Sequence, residues 1–303
     1  MNSLLEFQQV NRRFGRSKAL KDASFRVPAG SITALLGPNG AGKSTALKIA
    51  LNLLRPSSGT VRVLGTDSRK LGPAELARIG YVADGMELPE WMTVAQFLGW
   101  CRPLYPKWDV DLERALCKQF ALPADRKLRQ LSRGQKMKAA LASVLSYRPE
   151  LLVLDEPFSG LDPLVRDEFI AGLLELAGSE GFSVVLSSHD IEEVDRLADH
   201  VVMLNNGEVI IDESTEDLLA RHRRVEVVLP EHFGDLPALP ATWIGAESSG
   251  RVLRFADIAH EPASFNEQAA RIFPGCPPPD VQRYSLRELF VTLVRAGKAD
   301  AGV

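Results

Sequence analysis

The chain has 303 residues and a formal net charge of −3, with 45% apolar and 25% charged residues. This length predicts one large domain or two of unequal size, with enough apolar content to bury a core. The near-neutral charge and the lack of a long basic tract argue against a general nucleic-acid binder, which carries a basic footprint. The three cysteines have no CxxC spacing, which argues against a zinc site or disulfide framework and favours a reducing compartment.

No sequence signal for entry into a membrane is visible. The first residues lack a basic segment followed by an apolar core, the pattern of a secretory signal. No run of about 18 apolar residues occurs, which is the length needed to cross a bilayer as a helix. We therefore expect no transmembrane segment in this chain, and we expect any membrane role to act through a partner.

The predicted elements alternate between strand and helix along most of the chain. Strands are predicted at residues 4–10, 18–27, 31–36, 60–64, 79–83, 151–154, 183–187, 201–204 and 208–211. Helices are predicted over residues 46–54, from about Leu164 and from about Ile191. Between residues 84 and 148 strand patterns vanish and prolines punctuate helical patterns, which predicts a helical insertion. The alternation predicts a mostly parallel sheet covered by helices.

The pattern changes again after about residue 221. Strands are predicted at residues 224–229 and 251–255, separated by segments rich in glycine and proline. A final amphipathic helix is predicted over residues 285–296, with Ser285 as its N-cap and Glu288 three residues later. We predict two domains, residues 1–221 with a helical subdomain at about 84–148, and an accessory domain at 222–303. The histidines of the second part, His222, His232 and His260, are too far apart in sequence to suggest a metal site.

Residues 37–45 read GPNGAGKST and match the pattern G-x-x-x-x-G-K-[ST]. They lie between a predicted strand and a predicted helix, which disfavours a chance match. Glycines let backbone N–H groups curl around phosphate oxygens, and the helix directs its positive end at them. Lys43 is expected to reach the β- and γ-phosphates, and Ser44 to bind Mg²⁺. The residues expected to bind the nucleotide are Gly37, Pro38, Asn39, Gly40, Ala41, Gly42, Lys43, Ser44 and Thr45.

Two further segments carry chemistry. Residues 151–156 form an apolar run that ends in Asp155 and Glu156, and buried acids are costly unless they serve a cation or a reaction. Asp155 is expected to hold Mg²⁺ and Glu156 to polarise the attacking water, the alternative being two exposed acids at a strand end. Residues 131–135, LSRGQ, precede a predicted helix, where Ser132 and Gly134 can form an anion site or simply cap the helix.

The segments GPNGAGKST, LSRGQ, LLVLDEP, SGLD and SSHD follow one another in the order and spacing of ABC transporter ATPases. The chain resembles that family over about residues 4–220. The resemblance implies an α/β P-loop NTPase core with an N-terminal antiparallel β subdomain and a helical subdomain, to which a small C-terminal α+β module is added. It implies that the reaction is the hydrolysis of ATP to ADP and phosphate, with ATP and Mg²⁺ bound.

The same resemblance assigns further residues. Glu156 is the implied catalytic glutamate, and His189 the residue that contacts the γ-phosphate, although an isolated histidine here could cap the next helix. Asp162 is implied at the dimer seam. Phe14 is implied to stack on adenine, with simple core packing as the alternative. In this family the phosphate loop of one subunit faces residues of another subunit, here Ser132, Gly134 and Gln135.

The sequence departs from the family pattern at two positions. Arg133 stands where the family has glycine; arginine is acceptable there if its side chain points to solvent, so we expect activity to be kept. In the loop after the strand at residues 79–83, where the family usually carries glutamine, Asp84 or Met86 holds the place. Asp84 could still bind Mg²⁺, but its charge repels the γ-phosphate where an amide would not.

Four aromatic residues, Trp91, Trp100, Tyr105 and Trp108, fall close together in the predicted helical insertion. Two interpretations are open for them. They form the core of the helical subdomain, or they line a groove that receives a helix of a permease, since aromatics are enriched at interface hot spots.

One set of motifs per chain predicts a homodimer, or a heterodimer with a related ATPase subunit. We expect a separate transmembrane permease as partner, no nucleic acid, and a cytoplasmic location on the inner face of the cell membrane. The segment LDPLVRDEF and the terminal SLRELF helix resemble exporter-type subunits, including bacterial multidrug and antibiotic-responsive ABC ATPases. The alternative is a soluble or regulatory ABC ATPase that does not itself drive transport.

Overall fold

The computed structural model describes residues 3–192, 194–231 and 238–300. The chain divides into two compact units, Met1–Asp212 and Glu213–Val303. The predicted domain division after residue 221 stays a proposal, because compactness alone does not define an independently folding domain. His232 lies outside the described residues. Within the described part of the chain, no helix combines the length and the apolar character needed to span a membrane.

The first unit contains strands and helices in nearly regular alternation. Its strands are β1 Ser3–Phe14, β2 Ser17–Pro28, β3 Ile32–Leu36, β4 Ser58–Val63, β5 Thr66–Asp67, β6 Ile79–Val82, β7 Leu151–Asp155, β8 Ser183–Ser188, β9 His200–Asn205 and β10 Glu208–Ser214. Its helices are α1 Lys43–Ala50, α2 Pro73–Leu76, α3 Val94–Cys101, α4 Val110–Gln119, α5 Arg133–Leu145 and α6 Pro163–Glu180.

The sheet that carries the site has the strand order β10-β9-β3-β8-β7-β6. Strand β3 pairs in parallel with β8 and β9, and β7 pairs in parallel with β8 and β6. Every residue of β3, β7 and β8 is buried, as expected for a parallel sheet covered on both faces. The carboxyl ends of these central strands therefore meet at one edge, where ligands bind in open α/β sheets.

A second sheet has the order β2-β1-β4-β5, and its strand pairs are antiparallel. Phe7 of β1 stacks on Phe25 of β2, with ring centroids 4.3 Å apart, in the apolar core shared with α1. This sheet is the antiparallel β subdomain that the sequence predicted. Its strand β2 lies against the loop that follows β3, because a Cβ built on Gly42 would be 2.5 Å from the carbonyl oxygen of Ala19.

Residues 84–148 contain helices α3, α4 and α5, which confirms the predicted helical character of this stretch. Of its four aromatic residues, two pack against neighbouring side chains of this stretch and two are exposed. Tyr105 stacks on the buried Tyr147, with ring centroids 3.9 Å apart, and the indole of Trp108 donates to Glu113. Trp91 and Trp100 are instead exposed, at 72% and 57%. Tyr105 and Trp108 are thus partly buried and pack within this stretch, whereas Trp91 and Trp100 remain available for a partner.

Two predicted helices in the first unit differ from the structure. The helix predicted over residues 46–54 begins at Lys43 and ends at Ala50, because the glycine-rich loop passes directly into its first turn. The helix predicted from Ile191 is wrong. The described residues 191, 192 and 194–197 are assigned to bends and turns and not to a helix.

The second unit is a small α+β module. Its elements are α7 Thr215–Arg221, β11 Arg223–Val228, β12 Trp243–Ser249, β13 Val252–Asp257, α8 Pro262–Ile272, β14 Asp280–Arg283 and α9 Leu286–Asp300. The sheet order is β12-β13-β11-β14, and every neighbouring pair is antiparallel. An aromatic core forms around Trp243, which stacks on Phe255 at 4.6 Å between ring centroids.

The sequence analysis missed α7, β12, α8 and β14. Nearly all of β12 and all of β14 are exposed, so neither shows the alternation of apolar residues by which strands are recognised. The predicted start of α9 is confirmed: Ser285 Oγ accepts from the N–H of Glu288, and the Glu288 carboxylate accepts from the N–H of Ser285. Leu286 and Leu289 on its apolar face are buried.

Candidate nucleotide site

The loop between β3 and α1, residues 37–45, has the backbone geometry of an anion cradle. Gly37, Gly40 and Gly42 all have positive φ, which side-chain-bearing residues rarely adopt. A Cβ on Gly37 would be 2.2 Å from the Leu204 carbonyl oxygen, so the loop is packed too closely for any other residue. Gly42 occupies the N-cap of α1 and offers no side-chain cap, which leaves the first N–H groups of the helix available to an anion.

A cavity of about 370 Å³ opens above this loop. The predicted residues that line it are Phe14, Asn39, Gly40, Ala41, Gly42, Lys43, Ser44, Thr45, Asp84 and Glu156. Phe14 is 47% exposed, so it does not serve as core packing. The guanidinium of Arg12 lies 4.4 Å from the centre of its ring. An exposed ring beside a phosphate-binding loop is suited to stack on a nucleotide base.

Lys43 is the cation of the cavity floor. Its side chain is only 5% exposed, and its ammonium donates to the carbonyl oxygens of Gly37 at 2.7 Å and Pro38 at 3.4 Å. It also forms an ion pair with Glu156 Oε1 at 3.1 Å. A buried ammonium held in this way is pre-positioned, since it pays little conformational entropy when a phosphate oxygen reaches it.

Ser44 and Asp155 meet at the carboxyl end of β7. The Ser44 hydroxyl donates to Asp155 Oδ1 at 3.0 Å, and Asp155 is buried. The hydroxyl of Ser187 donates to the same oxygen at 2.6 Å. A hydroxyl and a carboxylate beside a phosphate cradle are the hard oxygen donors that Mg²⁺ takes together with substrate phosphates. The donor set therefore fits Mg²⁺, with Ser44 and Asp155 as the residues that would hold it.

Glu156 follows Asp155 with φ of 48°, a left-handed conformation that turns its carboxylate away from the strand direction. Ser187 Oγ accepts from its backbone N–H at 2.9 Å. One carboxylate oxygen pairs with Lys43, and the other lies 2.7 Å from Nδ1 of His189. A carboxylate held between an ammonium and an imidazole is fixed in orientation and is suited to accept a proton from water.

His189 faces the site instead of capping a helix. The capping role that the sequence left open for His189 is filled by the next residue, Asp190. Its side-chain carboxylate accepts from the backbone N–H of Glu192. The His189 ring is 45% exposed on its other side, so it can reach a further ligand atom. The geometry thus brings the two predicted catalytic residues into direct contact.

The remaining predicted residues lie at two helix N-termini. Ser132 caps α5 in a reciprocal pair with Gln135, and Asp162 caps α6 by accepting from the N–H of Val165 at 3.1 Å. A Cβ on Gly134 would be 2.7 Å from Val165, so close helix packing also requires glycine there. None of Ser132, Gly134, Gln135 or Asp162 is among the described residues that line the cavity of the same chain.

The Arg133 side chain is 56% exposed, so it reaches solvent, as an arginine at this position requires, and it also has polar neighbours. Its guanidinium lies 3.6 Å from Asp84 Oδ1 and 3.4 Å from the hydroxyl of Ser159. Electrostatic attraction between the guanidinium and the Asp84 carboxylate favours this position of the Arg133 side chain. Asp84 lines the cavity, but its carboxylate is paired with this arginine, whereas Ser44 and Asp155 are hydrogen-bonded to each other.

Two residues of the site were missed by sequence reasoning. Ser187 holds both Asp155 and the backbone of Glu156, and the parallel register pairs it directly with Asp155. A polar residue at the end of an apolar strand was the signal. Tyr81 of β6 is the other: burial, together with the charges of Asp155 and Asp84, raises the pKa of its hydroxyl to about 12.

A parallel sheet with a glycine-rich loop, a buried lysine and two consecutive acids at the end of a neighbouring strand defines a P-loop nucleoside triphosphatase. A family profile described as "ABC transporter" matches residues 20–159. The chain is 35% identical over 252 residues to the sulfate/thiosulfate import ATP-binding protein CysA of Salmonella typhi, covering 80% of this chain and 68% of the relative. It is 34% identical over 227 residues to the glycine betaine uptake system ATP-binding protein YehX of Escherichia coli, covering 72% and 73%.

Solved structures agree with these relatives. An ATP-binding subunit of an ABC transporter superposes with a TM-score of 0.65 at 28% identity, covering 72% of this chain and 92% of that one. A dimeric ATP-binding cassette bound to ADP and Pi gives a TM-score of 0.61 at 25% identity, covering 69% and 98%. This chain belongs to the family of ABC transporter ATP-binding subunits.

Family membership confirms several predictions. The fold class is that of the ABC ATPases, which bind ATP, use Mg²⁺ and hydrolyse ATP to power transport. ABC ATPases form dimers and work with separate permeases, and their ATP-binding subunits are cytoplasmic, in association with the permease. The exporter subclass is not confirmed, because the two relatives named above carry import or uptake names.

Proposed function

We propose that this chain hydrolyses ATP with Glu156 as general base and Lys43 as the cation for the β- and γ-phosphates. The observation that carries the proposal is the contact of Glu156 with both Lys43 and His189 at the cavity floor. In this scheme Glu156 orients the attacking water and accepts its proton, and His189 holds the carboxylate and reaches the γ-phosphate. Ser44 and Asp155 would hold Mg²⁺, which when bound would neutralise phosphate charge.

A second copy completes the site in this proposal. Ser132 and Gly134 at the start of α5 present a hydroxyl and a backbone N–H, which suit the γ-phosphate of a facing subunit. These residues do not line the cavity of their own chain, which supports a contribution across a dimer. Asp162, at the N-cap of α6, would lie along that seam. With one motif set per chain, a homodimer would hold two equivalent sites.

The phosphate role of Lys43 is tested by Lys43→Ala. We expect ATP affinity in calorimetry to fall at least tenfold, because the buried phosphates lose their charge-assisted partner. Lys48→Ala is the matched control, since it removes a lysine from the far end of the same helix α1. Equal ATP affinity of the wild type and Lys43→Ala would exclude this phosphate site.

We further propose that the dimer energises export of a drug, antibiotic or lipid through a separate permease, as the exporter-like segments at residues 161–169 and 285–290 suggest. Import is the second candidate, and the names of the import and uptake relatives favour it. The exposed Trp91 and Trp100 offer an apolar contact for a permease.

Direction is tested in inside-out membrane vesicles that carry the subunit with its co-purified permease. MgATP is added outside, where the ATPase lies, with a panel of a cationic dye, a peptide antibiotic, a fluorescent lipid, sulfate and betaine. Accumulation of one of the first three inside the vesicles supports export. Import predicts instead that preloaded sulfate or betaine leaves the vesicles. Purification of the subunit without any polytopic membrane protein would favour a regulatory ATPase.

A further inference from the structure

The two positions at which this sequence departs from the family pattern are in contact with each other. Arg133, at the start of α5, and Asp84, in the loop after β6, lie 49 residues apart in sequence. The Arg133 guanidinium approaches Asp84 Oδ1 at 3.6 Å. Both side chains are about half exposed, so this pair stands at the surface of the first unit and is not a buried ion pair.

Asp84 brings a negative charge to the wall of the nucleotide cavity. It lines the same cavity as Lys43 and Glu156, and the described lining residues thus include one lysine and two acids. A nucleoside triphosphate carries several negative charges of its own, and like charges a few ångströms apart in a partly dry cleft repel strongly. An unpaired carboxylate at this position would oppose the binding of the triphosphate.

Arg133 is held where it can offset that charge. Its guanidinium donates to the hydroxyl of Ser159 at 3.4 Å. It also lies over Gly160, where a Cβ would be only 2.3 Å from the arginine Nη1. The planar guanidinium has donors enough to serve a carboxylate and a hydroxyl at once, which a single ammonium does less well. Three segments, at residues 84, 133 and 159–160, therefore meet at one cation.

We propose that Arg133 is a positioning residue that neutralises Asp84 within the same chain, so that a triphosphate can bind beside an aspartate. Loss of the arginine alone leaves the carboxylate uncompensated. Loss of both charges removes the repulsion between Asp84 and the triphosphate, and with it the need for the arginine's positive charge. The two residues therefore act as one unit, and their effects on ATP affinity are expected to be non-additive.

The test is a double-mutant cycle on ATP binding by the full chain, measured by calorimetry with and without Mg²⁺. Arg133→Gly is expected to weaken ATP binding roughly threefold to fivefold, the range for an ion pair at this exposure. Asp84→Gln combined with Arg133→Gly is expected to return within about twofold of the wild type, because neither charge then remains to be balanced. Arg133→Lys should retain most of the affinity, since the positive charge remains.

A matched control and a salt series separate charge from folding. Lys138→Gln removes another cation of α5, one paired with Glu168 at 3.0 Å, and should leave ATP affinity unchanged. The defect of Arg133→Gly should shrink as salt rises from low ionic strength to about 0.5 M, because exposed charges are screened over a few ångströms there. If Arg133→Gly unfolds, Asp84→Asn tests the proposal by itself. It should bind ATP at least as tightly as the wild type, and weaker binding would contradict the proposal.

Two results would overturn the proposal. Equal losses in Arg133→Gly and in the double variant would show that the arginine does not act through Asp84. Unchanged ATP affinity in Arg133→Gly, with reduced turnover that rises with protein concentration, would place the arginine across the dimer instead. Neither result would contradict the ATPase assignment, which depends on Lys43 and Glu156.

Discussion

The two units of the molecule are built around buried centres of opposite chemistry. In the first unit, Lys43 at the start of α1 and Asp155 and Ser187 at the ends of β7 and β8 are buried, and each hydrogen-bonds to its neighbours. In the second unit, the centre is Trp243 packed among Phe255, Phe265 and Phe273. Buried polar groups destabilise the folded state unless they have hydrogen-bond partners. Buried aromatic rings stabilise it, because their transfer out of water is favourable.

This difference indicates that the first unit carries the ligand site, whereas the centre of the second unit serves to stabilise its fold. A cluster that keeps a lysine and two acids at a strand edge is expensive for folding, so it points to a ligand. An aromatic core of this kind needs no ligand to account for it. If the comparison is right, variants of the polar centre should lose activity with modest effects on folding, and variants of the aromatic centre should do the reverse.

The largest effect is expected for Glu156→Gln. The substitution keeps the size and hydrogen bonding of the side chain but removes the base, so ATP turnover should fall by roughly 10²- to 10⁴-fold while ATP binding persists. Steady-state turnover and ATP affinity are both measured on the purified chain. Glu150→Gln is the control, because that carboxylate pairs with Arg78 just before the opposite end of β7. Turnover within about threefold of wild type, less than ~0.7 kcal/mol of barrier, would remove Glu156 from the mechanism.

The next largest effect is expected for Trp243→Ala. Truncation of this buried ring should lower the free energy of unfolding of the second unit by about 3–5 kcal/mol, because a large cavity remains in the aromatic core. ATP binding by the first unit should be unaffected. Urea unfolding, followed with and without ATP, measures both quantities. The matched variant in the first unit is Phe7→Ala, which removes a ring stacked on Phe25.

The two variants should give opposite patterns. Phe7→Ala is expected to reduce the ATP-dependent stabilisation of the chain, and Trp243→Ala to preserve it. Loss of ATP binding in a folded Trp243→Ala protein would show that the second unit supports the nucleotide site, and the contrast drawn between the two centres would fail.

A smaller effect is expected for Ser187→Ala. The change removes the donor 2.6 Å from Asp155 Oδ1 and the acceptor for the Glu156 N–H, and an unpaired buried group costs about 1–3 kcal/mol. We expect a roughly tenfold loss of turnover at saturating MgATP, which about 1.4 kcal/mol would produce. Ser183→Ala, at the other end of β8, is the control, because its hydroxyl accepts from the N–H of Gly30. Equal turnover losses in both variants would indicate a general effect on the strand.

Much of the polar centre could be predicted from the sequence, because short motifs specify it. Residues 37–45 and 151–156 carry their own chemistry, and parallel pairing places the ends of their strands side by side. The partner of Arg133 could not be predicted. Its contact with Asp84 joins segments that no local pattern relates, and only the tertiary fold brings them together.

The second unit was less predictable for a related physical reason. Strand β14 is exposed on both faces, so its residues carry no apolar alternation, and its place is set by backbone pairing with β11. Helix α8 did carry signals at its start, because Glu261 caps it and Pro262 occupies its first position. Because β12 is mostly exposed and β14 lacks alternation, these two strands were missed, whereas β11 and β13 were predicted at residues 224–229 and 251–255.

The smallest predicted effect concerns His222 and pH. This ring is buried in the second unit, and its Nδ1 lies 2.7 Å from the carbonyl oxygen of Leu218. Burial lowers the pKa of His222 below its ordinary value of 6.5, against opposing contributions from the Leu218 bond and the charges of Glu213 and Asp257. Below pH 6.5 the unfolded chain therefore binds a proton that the folded chain resists, so stability falls as pH falls through that window and is unaffected above it. Urea unfolding of the second unit at pH 7.5 and pH 5.5 should show a smaller difference in His222→Gln than in the wild type. An equal or larger difference in the variant would mean that His222 does not carry this pH dependence.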